Sequence, residues 1–105
     1  MRVEILYFDG CPSHERVLPR VRELLAEGGV SEQVELRRVE SLEAAEAERF
    51  LGSPTVRVDG ADVEPGADGR SDFGLKCRLF RTSQGISATP PDEWLRAALG
   101  QAGAS

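Results

Sequence analysis

A chain of 105 residues, 40% hydrophobic and 30% charged, has the balance of one ordinary globular domain, with one core and little room for a multi-lobed active site. Thirteen Lys and Arg against eighteen Asp and Glu leave a formal charge of -5, which argues against nucleic acid or an anionic membrane as partner. Two cysteines, Cys11 and Cys77, and one histidine, His14, do not make a disulfide-stapled secreted scaffold or a histidine-rich metal site, and they point to a reducing cytoplasm.

The N-terminal residues Met1-Arg2-Val3-Glu4 place charges inside the first apolar stretch, so no signal peptide is expected, and no apolar run approaches the ~18 residues of a membrane span. Val3 to Phe8 is a near-continuous β-prone run, the pattern of a strand buried on both faces, closed by the turn signal Asp9-Gly10. From Pro12 to Glu27, Val17, Leu18, Val21, Leu24 and Leu25 recur at helical spacing, and Gly28-Gly29 supplies the stop. Val34 to Val39 alternates as an exposed strand does, and Ser41 then caps a short Ala/Glu-rich helix ending near Gly52. Thr55 to Val58 is a strand closed by Asp59-Gly60, and residues 59–74, rich in Gly, Asp and Pro, read as a long connection. Leu75 to Phe80 returns to alternation, with Leu75, Cys77 and Leu79 on one face. Thr89 is then the expected N-cap of a helix with Pro90 at its first position, running through Leu99 to a frayed tail at 100–105. A strand-helix-strand-helix start implies parallel pairing of the first strands, and the last two strands can pair antiparallel across the 59–74 connection.

The chemically loaded stretch is Asp9-Gly10-Cys11-Pro12-Ser13-His14, where a buried strand ends and a helix begins. The unpaired N–H groups and the dipole of a helix start stabilise a thiolate, lowering the thiol pKa towards neutral and making the sulfur nucleophilic. Pro12 suits the first helical position, where its missing N–H costs nothing. His14, one turn on, reads either as a solvated helix residue or as facing the sulfur, where its charge when protonated would add to the positive helix end. Ser53-Pro54-Thr55 stands immediately before a strand, where proline is tolerated and a cis Ser-Pro bond is expected.

These residues together resemble the thioredoxin-like superfamily, whose members carry an active-site cysteine at the junction of the first core strand and helix, faced by a cis-proline that opens a later strand. Cys11-Pro12-Ser13-His14 stands where a C-x-x-C motif would stand, Pro19 falls where many thioredoxins kink the helix, and Ser53-Pro54-Thr55 matches the cis-proline loop. The resemblance covers residues 1 to 99 and implies a single thioredoxin-like α/β domain with a four-stranded mixed sheet flanked by helices. It implies thiol redox chemistry on a thiol or disulfide substrate, protein or glutathione-like, with Cys11 catalytic, His14 tuning it and Pro12, Ser13, Ser53, Pro54 and Thr55 lining the groove; it implies no cofactor. The departure is His14, which replaces the second cysteine. Cys11 is then resolved by an external thiol, resolved by Cys77, or used for binding without redox turnover. The segments around Cys11 and Cys77-Arg78-Leu79-Phe80 are also similar to small bacterial proteins described as alkylmercury-lyase-like, with Cys11, Cys77 and Asp9 as the only equivalents of two cysteines and a carboxylate.

Cys77, sharing a face with Leu75 and Leu79, reads as a small core hydrophobe or as a resolving thiol, and the separation of the two sulfurs decides between them. Asp9 reads as a turn residue. Cys11 to Arg16 is one residue short of a C-x5-R phosphate loop and lacks its glycines, Asp72-Phe73-Gly74 is a kinase motif by chance, and Asp59, Asp62, Glu64, Asp68 and Asp72 do not follow calcium-loop spacing and read as solvating a loop. Three function classes follow: a thiol-disulfide oxidoreductase, a binder of a thiophilic metal or organomercurial, and an adaptor that kept the fold without the chemistry.

Overall fold

A computed structural model describes residues 1–30 and 33–103, with side chains to Gly100. The elements are β1 (Val3–Tyr7), α1 (His14–Glu27), β2 (Val34–Arg38), α2 (Leu42–Ala47), β3 (Thr55–Val58), β4 (Ala61–Asp62), a 3-10 turn (Ala67–Gly69), β5 (Phe80–Thr82), β6 (Gly85–Ser87) and α3 (Asp92–Gly103). Four strands form a mixed sheet in the order β2-β1-β3-β4. β1 and β2 are parallel across the α1 crossover, as the strand-helix-strand start implies, while β3 runs antiparallel to β1.

The fourth strand differs from the one expected. Asp59 and Gly60 both have positive φ, 52° and 85°, the backbone of a tight two-residue hairpin turn, so the chain folds straight back and Ala61–Asp62 pair with Val58 and Arg57. That hairpin takes the sheet edge that residues 75–80 were expected to fill. Leu75 to Leu79 instead touches the sheet region through a single parallel bridge, Ser53 with Cys77, and Phe80–Thr82 turns into a separate two-stranded hairpin with Gly85–Ser87.

The two faces of the sheet bury different material. On one, Val3 and Ile5 of β1 and Val56 and Val58 of β3 pack with Val17, Val21, Leu24 and Leu25 of α1 and Leu95 and Leu99 of α3. Each such side chain contributes roughly 1.5–3 kcal/mol on full burial. On the other, Leu6 packs with Val39, Ala45 and Phe50 around α2. That second face also carries charge: Glu4, 3% exposed, accepts from Arg37 at 2.8 Å, and Arg37 reaches Glu48 at 2.7 Å. Period-two alternation puts Glu4 and Leu6 of β1 on this face together with Arg37 of β2 and Thr55 and Arg57 of β3.

Helix ends follow local chemistry with small displacements. Ser41 caps α2 as expected, accepting from the Ala44 N–H at 3.0 Å. α1 begins at His14, two residues after Pro12, because i→i+3 bonds from Glu15 to Pro12 and Arg16 to Ser13 form an introductory turn. Pro19 lies inside it. Thr89 does not cap α3; its N–H bonds Ser87 Oγ, and the helix opens from Pro91, whose carbonyl accepts from Trp94 and Leu95. Asp92 is thereby free to clamp Arg20 of α1 at 2.7 and 3.0 Å. α3 continues past Leu99 to Gly103, so the expected tail is helical over 100–103, and residues 104 and 105 lie outside the described residues.

Candidate functional site

β1 delivers Phe8 to the rim of the sheet, and the Cys11 N–H closes a turn on the Phe8 carbonyl at 3.3 Å. Cys11 therefore sits at the entrance to α1, buried to 1% exposure. Its sulfur is joined to Cys77 in a disulfide, with the two Cα atoms 5.7 Å apart. That separation lies inside the ~4.4–6.8 Å range over which two cysteines bridge without moving the backbone.

The second sulfur corrects the core reading of Cys77. The shared face expected of Leu75, Cys77 and Leu79 does not form: Leu75 is half-buried and packs against the Leu6–Phe50 cluster, Cys77 is exposed and Leu79 is 56% exposed, while Arg78 and Phe80 are buried. Burial of Phe80 and pairing of Arg78 set the phase of the segment. The Arg78 guanidinium, its side chain 1% exposed, donates to both oxygens of Asp62 at 2.8 and 3.1 Å, lies 3.3 Å from Glu64, donates to Thr55 Oγ1 at 3.1 Å and stands 4.7 Å above the Phe80 ring. A planar, bidentate cation paired this way is the form in which arginine tolerates burial.

Main-chain bonds hold Cys77 in register with the Ser53-Pro54-Thr55 loop. Ser53 N–H donates to the Lys76 carbonyl and Arg78 N–H donates to the Ser53 carbonyl, both at 2.8 Å. The Ser53–Pro54 bond is cis, as expected. Thr55 Oγ1 donates to the Gly52 carbonyl at 2.7 Å while accepting from Arg78. Gly52, at φ 120°, has no spare space: a Cβ there would stand 2.9 Å from the Lys76 carbonyl oxygen and 3.0 Å from Arg78 Cβ. Lys76, next to Cys77, is tied to Asp72 at 2.9 Å. Arg70, and after it Lys76, hold the Asp72 carboxyl well below the usual carboxylate range.

Around the buried sulfur, Ser13 Oγ lies at 3.4 Å and the Ser53 carbonyl oxygen at 3.7 Å. Pro12 is exposed at the rim. His14 departs from its expected place. Its ring stacks on Tyr7 with centroids 4.0 Å apart, and Nδ1 stands 3.3 Å from the Cys11 carbonyl oxygen, so its contact with Cys11 is to the main chain and not to sulfur. The carbonyl acceptor requires the Nδ1–H tautomer or the imidazolium. Asp9 is largely exposed and lies 3.3 Å from Arg38, so its carboxylate is engaged away from the cysteines.

Sequence reasoning missed Arg78, Asp62, Glu64 and Gly52. The signal for Arg78 was the second phase of Lys76-Cys77-Arg78-Leu79-Phe80, in which Arg78 and the large aromatic Phe80 share a face; Asp62 and Glu64, read as loop solvation, are its counter-ions. A cleft of about 530 Å³ is lined by Asp62, Pro65, Trp94 and Ala98 and does not contain the cysteines. Among the described residues no group of three or more His, Cys, Asp or Glu stands together to hold a metal, and no helix is long and apolar enough to cross a membrane. Compared with known protein families, curated proteins and solved structures, the chain matches none.

Proposed function

We propose that this chain is a thiol-disulfide exchange protein of thioredoxin-like fold in which Cys11 and Cys77 form one two-electron couple. The observation that carries the reading is the pairing of two cysteines 66 residues apart at the point where β1 hands over to α1. The reading is supported further by Pro54 at the opening of the antiparallel β3, with the Ser53 carbonyl beside the Cys11 sulfur. In the reductive direction the dithiol gives two electrons and two protons to a substrate disulfide, protein or glutathione-like, and becomes Cys11–Cys77. A thiol pair supplies those electrons itself, so the reaction calls for no cofactor. Ser13 Oγ is placed to donate to the Cys11 sulfur when it carries charge, and the first turn of α1 favours that thiolate. In a reducing cytoplasm, the compartment expected from so few cysteines, such a disulfide is one stage of a cycle rather than a permanent staple.

Equilibration of the folded protein in glutathione buffers, followed by acid quench and a mass-tagging alkylator, tests this. Both cysteines are expected to gain or lose the tag together, as a two-electron couple. A disulfide that stays closed in the native protein under excess dithiothreitol, or two thiols that oxidise independently, overturns it. The same sulfur proximity supports a second reading, in which the reduced pair holds a thiophilic ion between two thiolates. Native mass spectrometry with Hg²⁺ separates the two: stoichiometric binding lost in Cys77→Ser, without electron transfer in glutathione buffer, favours the ion. An adaptor requires Cys11→Ser to leave every partner interaction intact.

A further inference from the structure

We infer that exchange enters this couple at Cys77, with Cys11 as the sulfur expelled, an assignment that rests on the redox reading above and reverses the roles expected from the motif position of Cys11. Displacement at a disulfide needs the incoming thiolate to approach one sulfur from the side opposite its partner. Cys11, 1% exposed, offers no such approach: the chain covers it, with Ser13 Oγ and the Ser53 carbonyl oxygen against its sulfur. Cys77 is exposed, in the segment that runs from half-buried Leu75 to exposed Leu79.

The chemistry favours the same direction. Attack by a thiolate RS⁻ on the Cys77 sulfur forms the RS–S bond, breaks the Cys11–Cys77 bond and sends its electron pair to Cys11. The leaving thiolate then rests two residues ahead of the Ser13 N-cap of α1, at the positive end of the helix dipole and 3.4 Å from Ser13 Oγ, whose hydroxyl can donate to it, and a better-stabilised thiolate leaves faster. A second RS⁻ attacks the R sulfur of the mixed disulfide, releasing RSSR and the Cys77 thiolate. Two thiols are oxidised and one disulfide is reduced. In the reverse sense the Cys77 thiolate opens the substrate disulfide, and the buried Cys11 thiolate attacks Cys77 to release the second substrate thiol. The Ser53–Cys77 bridge holds Cys77 over Cys11 through both steps.

Reduced glutathione is the probe. The oxidised wild-type protein is mixed with glutathione, quenched at short times with excess iodoacetamide in denaturant so that buried thiols are labelled, and mapped by peptide mass spectrometry without reduction. The expected result is glutathione on Cys77 and carbamidomethyl on Cys11, in about tenfold or greater excess over the opposite pattern. As a second measurement, folded Cys11→Ser is expected to take up glutathione from glutathione disulfide about tenfold or more faster than folded Cys77→Ser, a difference that disappears in denaturant. Glutathione on Cys11 in equal or greater amount overturns the entry at Cys77 and leaves the redox reading standing. No mixed disulfide at either cysteine, with the native disulfide unreduced, overturns both.

Discussion

Ser53 and Cys77 form a parallel bridge a single residue long, and that contact, rather than a strand of the sheet, sets the two sulfurs side by side. Its two 2.8 Å main-chain bonds tie residues on either side of Cys77 to one residue of the loop beside Cys11. The closing of the disulfide therefore depends on how tightly residues 76–78 lie against residues 52–55.

Gly52 tests that dependence. Gly52→Ala combines a side chain at φ 120° with a Cβ 2.9 Å from the Lys76 carbonyl, and backbone oxygen cannot rotate away as a flexible side-chain end can. The expected loss is about 1–3 kcal/mol in urea unfolding, with the 76–78 segment displaced outward. Gly60→Ala is the comparison, because Gly60 also has positive φ but open space around it. Both variants lose stability. Only Gly52→Ala is expected to shift the Cys11–Cys77 equilibrium in glutathione buffer towards the dithiol, and equal shifts would show that the close approach does not position Cys77.

Arg78 carries the charge side of the same clasp. Arg78→Met keeps the volume near Phe80 but leaves Asp62, about 10% exposed in its side chain, without its cation, while Glu64 keeps Arg70 at 2.9 Å. Removing one partner of a buried pair costs about 3–5 kcal/mol. The double change Arg78→Met with Asp62→Leu is expected to recover a large part of that loss, since the stranded carboxylate is the main penalty. Chemical denaturation of the four proteins of the cycle gives the coupling, and additive losses would refute it.

What the sequence made legible follows from how local each signal is. Cys11 at a strand-to-helix junction, the helix stop at Gly28, the Ser41 cap and the cis Ser53–Pro54 bond depend on neighbours in the chain, and all appear as read. Asp59-Gly60 was a hairpin signal whose second strand, two residues long, is too short to show alternation. The position of Cys77 was hidden because the choice between two phases of Leu75–Phe80 rests on Arg78 meeting Asp62 and Glu64, ion pairs across 14 and 16 residues that no local pattern encodes. The rim contact of His14 depends likewise on Tyr7 across the turn.

His14 gives a sharp test of roles. Removing its ring in His14→Ala deletes one hydrogen bond to a main-chain carbonyl and one stacking contact, about 1–3 kcal/mol together. Because the ring touches the Cys11 carbonyl and not the sulfur, the pH profile of iodoacetamide alkylation at Cys11, read in the reduced Cys77→Ser background, is expected to keep its midpoint. A displaced midpoint with unchanged stability would restore His14 as a tuner of the thiolate.

Acid should loosen the segment that carries Cys77 before it melts the core. Asp72 is bonded by Arg70 at 2.7 and 3.0 Å and by Lys76 at 2.9 Å, and these cations hold its carboxyl below the ordinary range; Asp92 is held down by Arg20. A carboxyl with a depressed folded pKa binds its proton more weakly folded than unfolded, so its stabilisation is complete above the unfolded value of about 3.9 and is lost as pH falls towards the folded one. Asp72 is 49% exposed in its side chain, so salt screens the effect and its size is small. Urea midpoints measured from pH 7 down to pH 2, an interval chosen to span the titration of about 3.9 and below, are expected to fall less steeply in Asp72→Asn than in wild type. Asp92→Asn, which releases one cation rather than two, is expected to flatten the curve less. Curves for wild type and Asp72→Asn that run parallel through the acid limb would mean that this carboxylate does not brace the segment beside Cys77.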